Sequence, residues 1–270
     1  TNTNWLSDEP LEEWAGVYRS PDGTLVLRLD RQGLKGALPA AFFQVPTISM
    51  IDLSYNKLSG SLPAEVGKCT GLERFDLMKN ELSGQLPDTW QGLKCLKHLS
   101  LGQNAFEGEL PASLCEADSL SFLGLEENRF SGPLPQNIGR LTQLKTLRLQ
   151  SNQFSGPLPE SLTQLAHLWK FMANDNRFTG DLPEHWEKMQ HLETLELQNN
   201  QLSGTLPASI GVLKNLRDID LSGNKLTGQI PAEWTYMTAL ESLRLNDNQL
   251  TAAIPGTLFA NPNLTTLYLF

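Results

Sequence analysis

The stretch "NKLSGSLPAEVGKCTGLERFDLMKN", residues 56–80, opens on Asn56 and closes on Asn80. Asn104, Asn128, Asn152, Asn176, Asn200, Asn224 and Asn248 continue the series, each 24 residues after the last. A fixed period of this size marks a chain of stacked structural units. With residue 48 as position 1, the frame restarts at Leu72, Leu96, Leu120, Leu144, Leu168, Leu192, Leu216, Leu240 and Leu264, and one earlier frame begins at Thr24. Ten frames fill residues 24–263, and residues 264–270 start an eleventh.

Each slot of the frame L-x-x-L-x-L-x-x-N-x-L-x-G-x-L-P has a physical cause. Positions 4 and 6, such as Leu147 and Leu149, alternate with polar residues, the period of a half-buried strand. Position 9 is the asparagine, with Gln32 in the first repeat. Its amide both donates and accepts, so it can satisfy backbone groups where the chain turns inward. Stacked turns align these amides into a ladder. Position 11 is leucine or phenylalanine, including Phe106, Phe130, Phe154 and Phe178 in succession, a continuous core filler. Position 13 is glycine in nine repeats, where the backbone bends tightly, and Ala252 in the tenth. Position 16 is proline throughout, from Pro39 to Pro255, with a fixed φ where a short second strand ends. Position 19 is bulky, as in Trp90, Ile138, Trp186, Ile210 and Trp234.

One repeat alone cannot bury its apolar side, so the units stack into a curved solenoid. About ten parallel strands at roughly 4.8 Å spacing give a concave face on the order of 50 Å long. The segments "LSGSLP", "FSGPLP", "LSGTLP" and "LTGQIP" carry a specific resemblance. Over residues 24–270 the chain resembles the plant-specific class of leucine-rich repeat. That class is found in plant receptor-kinase ectodomains, in polygalacturonase-inhibiting proteins and in some bacterial effectors. The resemblance implies an α/β solenoid: a horseshoe with a parallel concave β-sheet, short second strands and 3-10 or helical convex segments.

Residues 1–23 read as an N-terminal cap. Ser7 or Asp8 can cap a short helix carrying Pro10 and Glu12. "SPDG" at 20–23 turns between strands Gly16–Arg19 and Thr24–Leu29, and Trp5, Trp14 and Val17 cover the core. The plant receptors usually carry a cysteine where this cap has Arg19, so packing alone must hold it. At the other end "LTTLYLF" stops within a strand after Leu264, Leu267 and Leu269. The chain is expected to continue beyond residue 270, or to self-associate through this edge.

Composition narrows the function. The net charge is −9, which argues against a nucleic-acid backbone as partner. No run of 18 apolar residues exists, so no helix is expected to insert into a membrane. The cysteines are Cys69, Cys95 and Cys115, read as free thiols in core or loop slots. Such an odd, sparse set, a cap without cysteines and a single glycosylation sequon at Asn263–Thr265 point to a reducing compartment, the cytosol or a host cytosol after delivery. No phosphate loop, nucleophile elbow or dinucleotide fingerprint occurs. His98, His167, His185 and His191 lack metal-ligand spacing, and Glu126–Glu127 read as ordinary acids on a solvated face. No catalytic residue, cofactor or metal is expected.

Binding is the remaining class. Positions 3, 5 and 7 point onto the concave face, with position 8 beside them. They are mostly polar: Arg148, Gln150, Glu196, Gln198, Asp218, Asp220, Arg244 and Asn246. Met50, Tyr55, Met78, Phe122 and Met172 depart from that pattern, and Trp169 at position 2 has no core or cap slot. Apolar side chains in a polar field mark a protein-binding surface, centred here on Phe122, Trp169, Lys170 and Met172. The expected function is a non-enzymatic scaffold binding a protein through its concave face. Two alternatives are the targeting domain of a larger enzyme, such as a bacterial effector, and an extracellular receptor or enzyme-inhibitor ectodomain.

Overall fold

The structure, a computed structural model, describes residues 13–251 and 255–269. The expected capping helix at Ser7–Glu12, Trp5 and Ala252 lie outside the described residues. Val17–Arg19 and Leu25–Arg28 form an antiparallel hairpin. The second of these strands starts a parallel run that continues coil by coil to Thr266–Tyr268. Among the described residues this sheet has 12 strands, and it forms the concave face. Its register repeats without slip from Met50 onward: Phe122 pairs with His98 and Thr146, and Thr146 pairs with Lys170. Short strands such as Gln153–Gly156 follow the position-9 residues; among the described residues eight of them form a second sheet, and Thr227–Gly228 pairs with Gln249–Leu250 in a separate two-stranded one. The convex side is built of 3-10 turns, including Ala112–Glu116 and Glu160–Gln164.

The motif explains each of these elements. Pro63, Pro111 and Pro159 precede 3-10 turns in extended conformation, and their carbonyls accept the N–H three residues on. Up to Leu245 the leucines of positions 4 and 6 are buried, as are Trp90, Trp186 and Trp234 on the convex side. Phe106, Phe130, Phe154 and Phe178 stack in one column, with ring centroids 5.9–6.1 Å apart. Trp14 closes the N-terminal end of the core, with Val17 packed against it. Leu264, Leu267 and Leu269 are half-buried at the other end.

The asparagines do more than satisfy their own turn. Asn152 Oδ1 accepts the N–H of Phe130 in the preceding coil at 3.0 Å. Its Nδ2 donates to Leu125 O of that coil at 2.9 Å and to Leu149 O of its own coil at 3.1 Å. The same three bonds recur at Asn176, with Phe154 N, Leu149 O and Ala173 O. They recur again at Asn80, Asn104, Asn128, Asn200, Asn224 and Asn248. The ladder therefore runs from amide to backbone, coil to coil. Sequence reasoning missed its companion feature. The residue before each position-9 side chain adopts a left-handed backbone: Arg31 before Gln32, and before the asparagines Tyr55, Lys79, Gln103, Glu127, Ser151, Asp175, Asn199 and Asp247, all at φ 53–58°, with Gly223 at φ 64°. That conformation costs a non-glycine residue about 1 kcal/mol. It turns the chain so that the amide enters the core while its neighbour stays at the surface.

Asn152→Ala should destabilise the solenoid by about 3 kcal/mol, since it orphans buried groups in two coils. Asn152→Asp should also lower the denaturation midpoint, because a carboxylate cannot donate to Leu125 O and Leu149 O. Unchanged urea midpoints for both variants would contradict this assignment.

Candidate functional site on the concave sheet

Strand alternation places positions 3, 5 and 7 on the concave face, and none of the repeat's core slots is used there. At its centre the ring of Phe122 is covered on both sides. His98 of the preceding strand stacks on it, with centroids 4.4 Å apart and planes 8° from parallel. The Arg148 guanidinium lies 5.5 Å from the ring centroid. Acids hold both neighbours. His98 Nε2 is 3.8 Å from Asp76 Oδ2, which also accepts from the Arg74 guanidinium at 3.0 Å. Burial opposes the charge on Asp76, but His98, the Met78 backbone N–H and Arg74 together hold its carboxyl below the ordinary value. Arg148 is 3.7 Å from Glu126 Oε1.

Glu126 is not the solvated acid expected from sequence. It is 4% exposed, because Gly102 and Gly124 leave room for its side chain to lie flat on the sheet. A Cβ on Gly102 would sit 2.7 Å from Glu126 Cδ, and one on Gly124 would sit 3.0 Å from Oε2. Burial raises the Glu126 carboxyl pKa, outweighing the Arg148 charge.

Lys170 and Met172 lie two strands from Phe122, on Lys170–Met172, with Thr146–Arg148 between. Trp169 is 45% exposed at the rim and donates its indole N–H to Thr146 Oγ1 at 2.9 Å. The structure thus gathers Phe122, Arg148, Trp169, Lys170 and Met172 on three adjacent strands. Met50, Tyr55 and Met78 sit apart, toward the N-terminal end. Tyr55 is an exposed ring between the Arg31 guanidinium at 4.2 Å and the Lys79 ammonium at 5.2 Å. His98 is the functional candidate that sequence reasoning passed over. Its position-3 slot beside Phe122, 24 residues away, is the signal that could have found it.

Among the described residues, no group of three His, Cys, Asp or Glu side chains converges as a metal site. None of their helices is long and apolar enough to cross a membrane. His167 and His191 stack 5.8 Å apart on a flank, where each ring's Nδ1 hydrogen-bonds a carbonyl of the preceding coil, Thr142 O and Ala166 O.

Comparison with known proteins agrees with this architecture. A leucine-rich-repeat family model matches residues 172–226, and a single-repeat model matches 47–69, 95–117 and 143–165. The structure is similar to a TDR receptor, with 30% identity and a TM-score of 0.77 over 91% of this chain and 47% of that one. It is similar to a leucine-rich-repeat protein of Leptospira interrogans, with 32% identity and a TM-score of 0.71 over 87% and 57%. It is also similar to the ectodomain of the Arabidopsis receptor kinase HAESA, solved with an N-terminally extended IDA peptide hormone ligand. There the identity is 30% and the TM-score 0.55, over 87% and 48%. This chain therefore spans about half the length of the structures it matches. No curated protein sequence matches it. The chain thus carries leucine-rich repeats, and its architecture matches that of the plant-type repeats in these structures.

These neighbours overturn the expectation of a reducing compartment, because receptor ectodomains share the architecture. The cysteine argument fails for a physical reason. Cys69 and Cys115 are free thiols buried in the core. Burial pushes the Cys69 thiol up to about 11. Burial, with Glu116 adding and Arg140 opposing, pushes Cys115 up to about 12. Such thiols stay protonated and inert whatever the surroundings.

In the folded protein at pH 8, iodoacetamide should label exposed Cys95 and spare Cys69 and Cys115 until denaturant is added. Rapid native labelling at three sites, read by mass spectrometry, would contradict the burial. Glu126→Gln should raise the urea midpoint at pH 7. The raised folded-state pKa means that ionised Glu126 opposes folding above it, while protonation removes that opposition. The gain should therefore shrink as the pH falls through the carboxylate range. A lowered midpoint at pH 7 would mean that the Arg148 pair outweighs burial.

Proposed function

We propose that this chain is a recognition scaffold that binds an extended segment of a protein partner along its concave sheet. Phe122, Arg148, Trp169, Lys170 and Met172 form the centre of the contact, and Met50, Tyr55 and Met78 extend it toward the N-terminal end. The observation that carries this reading is the division of labour within the repeat. Core slots and asparagines hold the fold, while an exposed indole, a thioether and a stacked ring occupy face positions that the fold does not require. Such side chains, set among charges, resemble the anchors of protein interfaces. The HAESA ectodomain, solved with a peptide hormone ligand, supports recognition of a peptide or protein by similarity of fold.

Phe122 and Met172 are separated by two strand spacings, about 10 Å, so one extended segment can touch both. Phe122→Ala and Met172→Ala should each weaken partner binding by about 2–4 kcal/mol, and the pair should abolish it. Glu241→Ala should change little, since Glu241 is an exposed rim acid paired with Arg217. The measurement is calorimetry with the partner, beside circular dichroism of every variant. Normal binding by a folded double variant would remove the concave face from the account.

A further inference from the structure

The strands after Met172 carry an electrostatic imbalance. Glu196 and Asp220 are direct neighbours across adjacent parallel strands, and Asp218 shares their face. Like charges placed side by side in a sheet repel. The other acids at this slot are individually satisfied. Asp52 Oδ1 accepts the Ser54 N–H at 3.1 Å and its hydroxyl at 2.7 Å. Asp76 Oδ1 accepts the Met78 N–H at 3.1 Å. Asp220 Oδ1 accepts the Ser222 N–H at 3.0 Å and its hydroxyl at 2.6 Å. Glu196 makes no hydrogen bond or ion pair of this kind among the described residues, and it is half-buried. Burial raises its carboxyl pKa and Lys170 opposes this, while Asp220 and Asp218 add to the rise. Arg244 does not cancel the cluster. It stands 3.9 Å from Asp220 Oδ2 and its guanidinium also lies over the Tyr268 ring.

Two further groups face the same surface with spare acceptor capacity. Ser242, paired with Asp218 on the next strand, is 6% exposed, and its Oγ has no hydrogen-bond partner. Asn174, on the coil before Glu196, is 9% exposed, and its Oδ1 has none either. Asn174 thus lies one coil before Glu196 and Ser242 one strand beyond Asp218, so the two neutral acceptors bracket the three carboxylates. No three of the acids converge on a metal position. Strand spacing of about 4.8 Å spreads them, whereas a divalent cation needs oxygens about 2.0–2.6 Å away.

We infer that Glu196, Asp218 and Asp220 form a subsite for an arginine side chain of the partner segment, whose guanidinium also donates to Ser242 Oγ or Asn174 Oδ1. A guanidinium carries five N–H donors in a rigid plane, so it bonds several dispersed acceptors at once, as a single-point ammonium cannot. Met172 pairs directly with Glu196 on the neighbouring strand, which places an apolar surface where the arginine stem would lie. The inference rests on the concave-face reading above and adds a chemical requirement to it: a basic residue just beyond the apolar contact, toward the C-terminal repeats.

The probe is a blocked hexapeptide alternating arginine and glycine, compared with the same peptide carrying neutral citrulline. Calorimetry at low salt should show one-to-one binding of the arginine peptide and none of the citrulline peptide. Glu196→Gln with Asp218→Asn should weaken it at least about tenfold. Glu233→Gln, on the exposed convex turn Ala232–Tyr236, should leave it unchanged. Both concave substitutions remove repulsion, so these variants should stay folded, which circular dichroism checks. Equal weakening by Glu233→Gln would mean diffuse attraction to an acidic chain and overturn the subsite. So would binding that the double variant leaves intact, or one-to-one calcium binding that it abolishes. Loss of this result while Phe122→Ala and Met172→Ala still disrupt partner binding would remove the arginine subsite alone. Normal partner binding by those apolar variants would remove the reading beneath it.

Discussion

The structure depends on one side chain used nine times. Each position-9 asparagine from Asn56 to Asn248 is held in the coil by its own carbonyl contact and binds both an N–H and a C=O of the coil before it. Asparagine suits the slot from the second repeat onward, and Gln32 holds it only at the first. The slot needs a donor and an acceptor on one short planar group, and a buried backbone left without them would cost several kcal/mol over two coils. This bond sets the register of successive coils, and the leucines of positions 4 and 6 then fall into one core without further specification. The left-handed residue before each amide is the conformational cost of the arrangement, and it recurs even where the side chain is as bulky as Tyr55.

That constraint decides what the sequence could reveal. A slot with one favoured chemistry leaves a period, so the coil length, the strands and the phenylalanine column from Phe106 to Phe178 were legible, while the 3-10 or helical convex segments came only from the family resemblance. Position 8 left no trace because only its backbone is constrained, and it accepts Arg31, Ser151 and Gly223 alike. The surroundings of Phe122 were hidden for another reason. They join His98, Arg148 and Asp76 from three other repeats, and depend on what the neighbours happen to be. Glu126 read as solvated because its burial is created by the missing side chains of Gly102 and Gly124. The inference from cysteine usage to compartment failed because burial, and not the medium, keeps Cys69 and Cys115 reduced.

The concave face is the complement of the ladder. Once nine amides and the core leucines fix the coils, positions 3, 5 and 7 carry no folding duty, and their chemistry varies along the sheet. The N-terminal third pairs its charges closely, as in Arg74 with Asp76. The middle fills Phe122 on both sides and leaves Trp169 and Met172 accessible. The following coils set Glu196, Asp218 and Asp220 together with only partial compensation from Lys170 and Arg244. A rigid scaffold tolerates such local repulsion because its stability resides elsewhere, and an unsatisfied surface on a rigid frame is suited to recognition.

The central claim is that asparagine amides couple neighbouring coils through their backbones, and native-state hydrogen exchange tests it most directly. The N–H groups of Phe106, Phe130, Phe154 and Phe178, each bonded to the amide oxygen of the next coil, should be among the most protected in the protein. Asn176→Ala should selectively expose Phe154 N–H to exchange while Phe106 N–H stays protected. Loss of protection at both sites to the same degree, or at neither, would contradict the account.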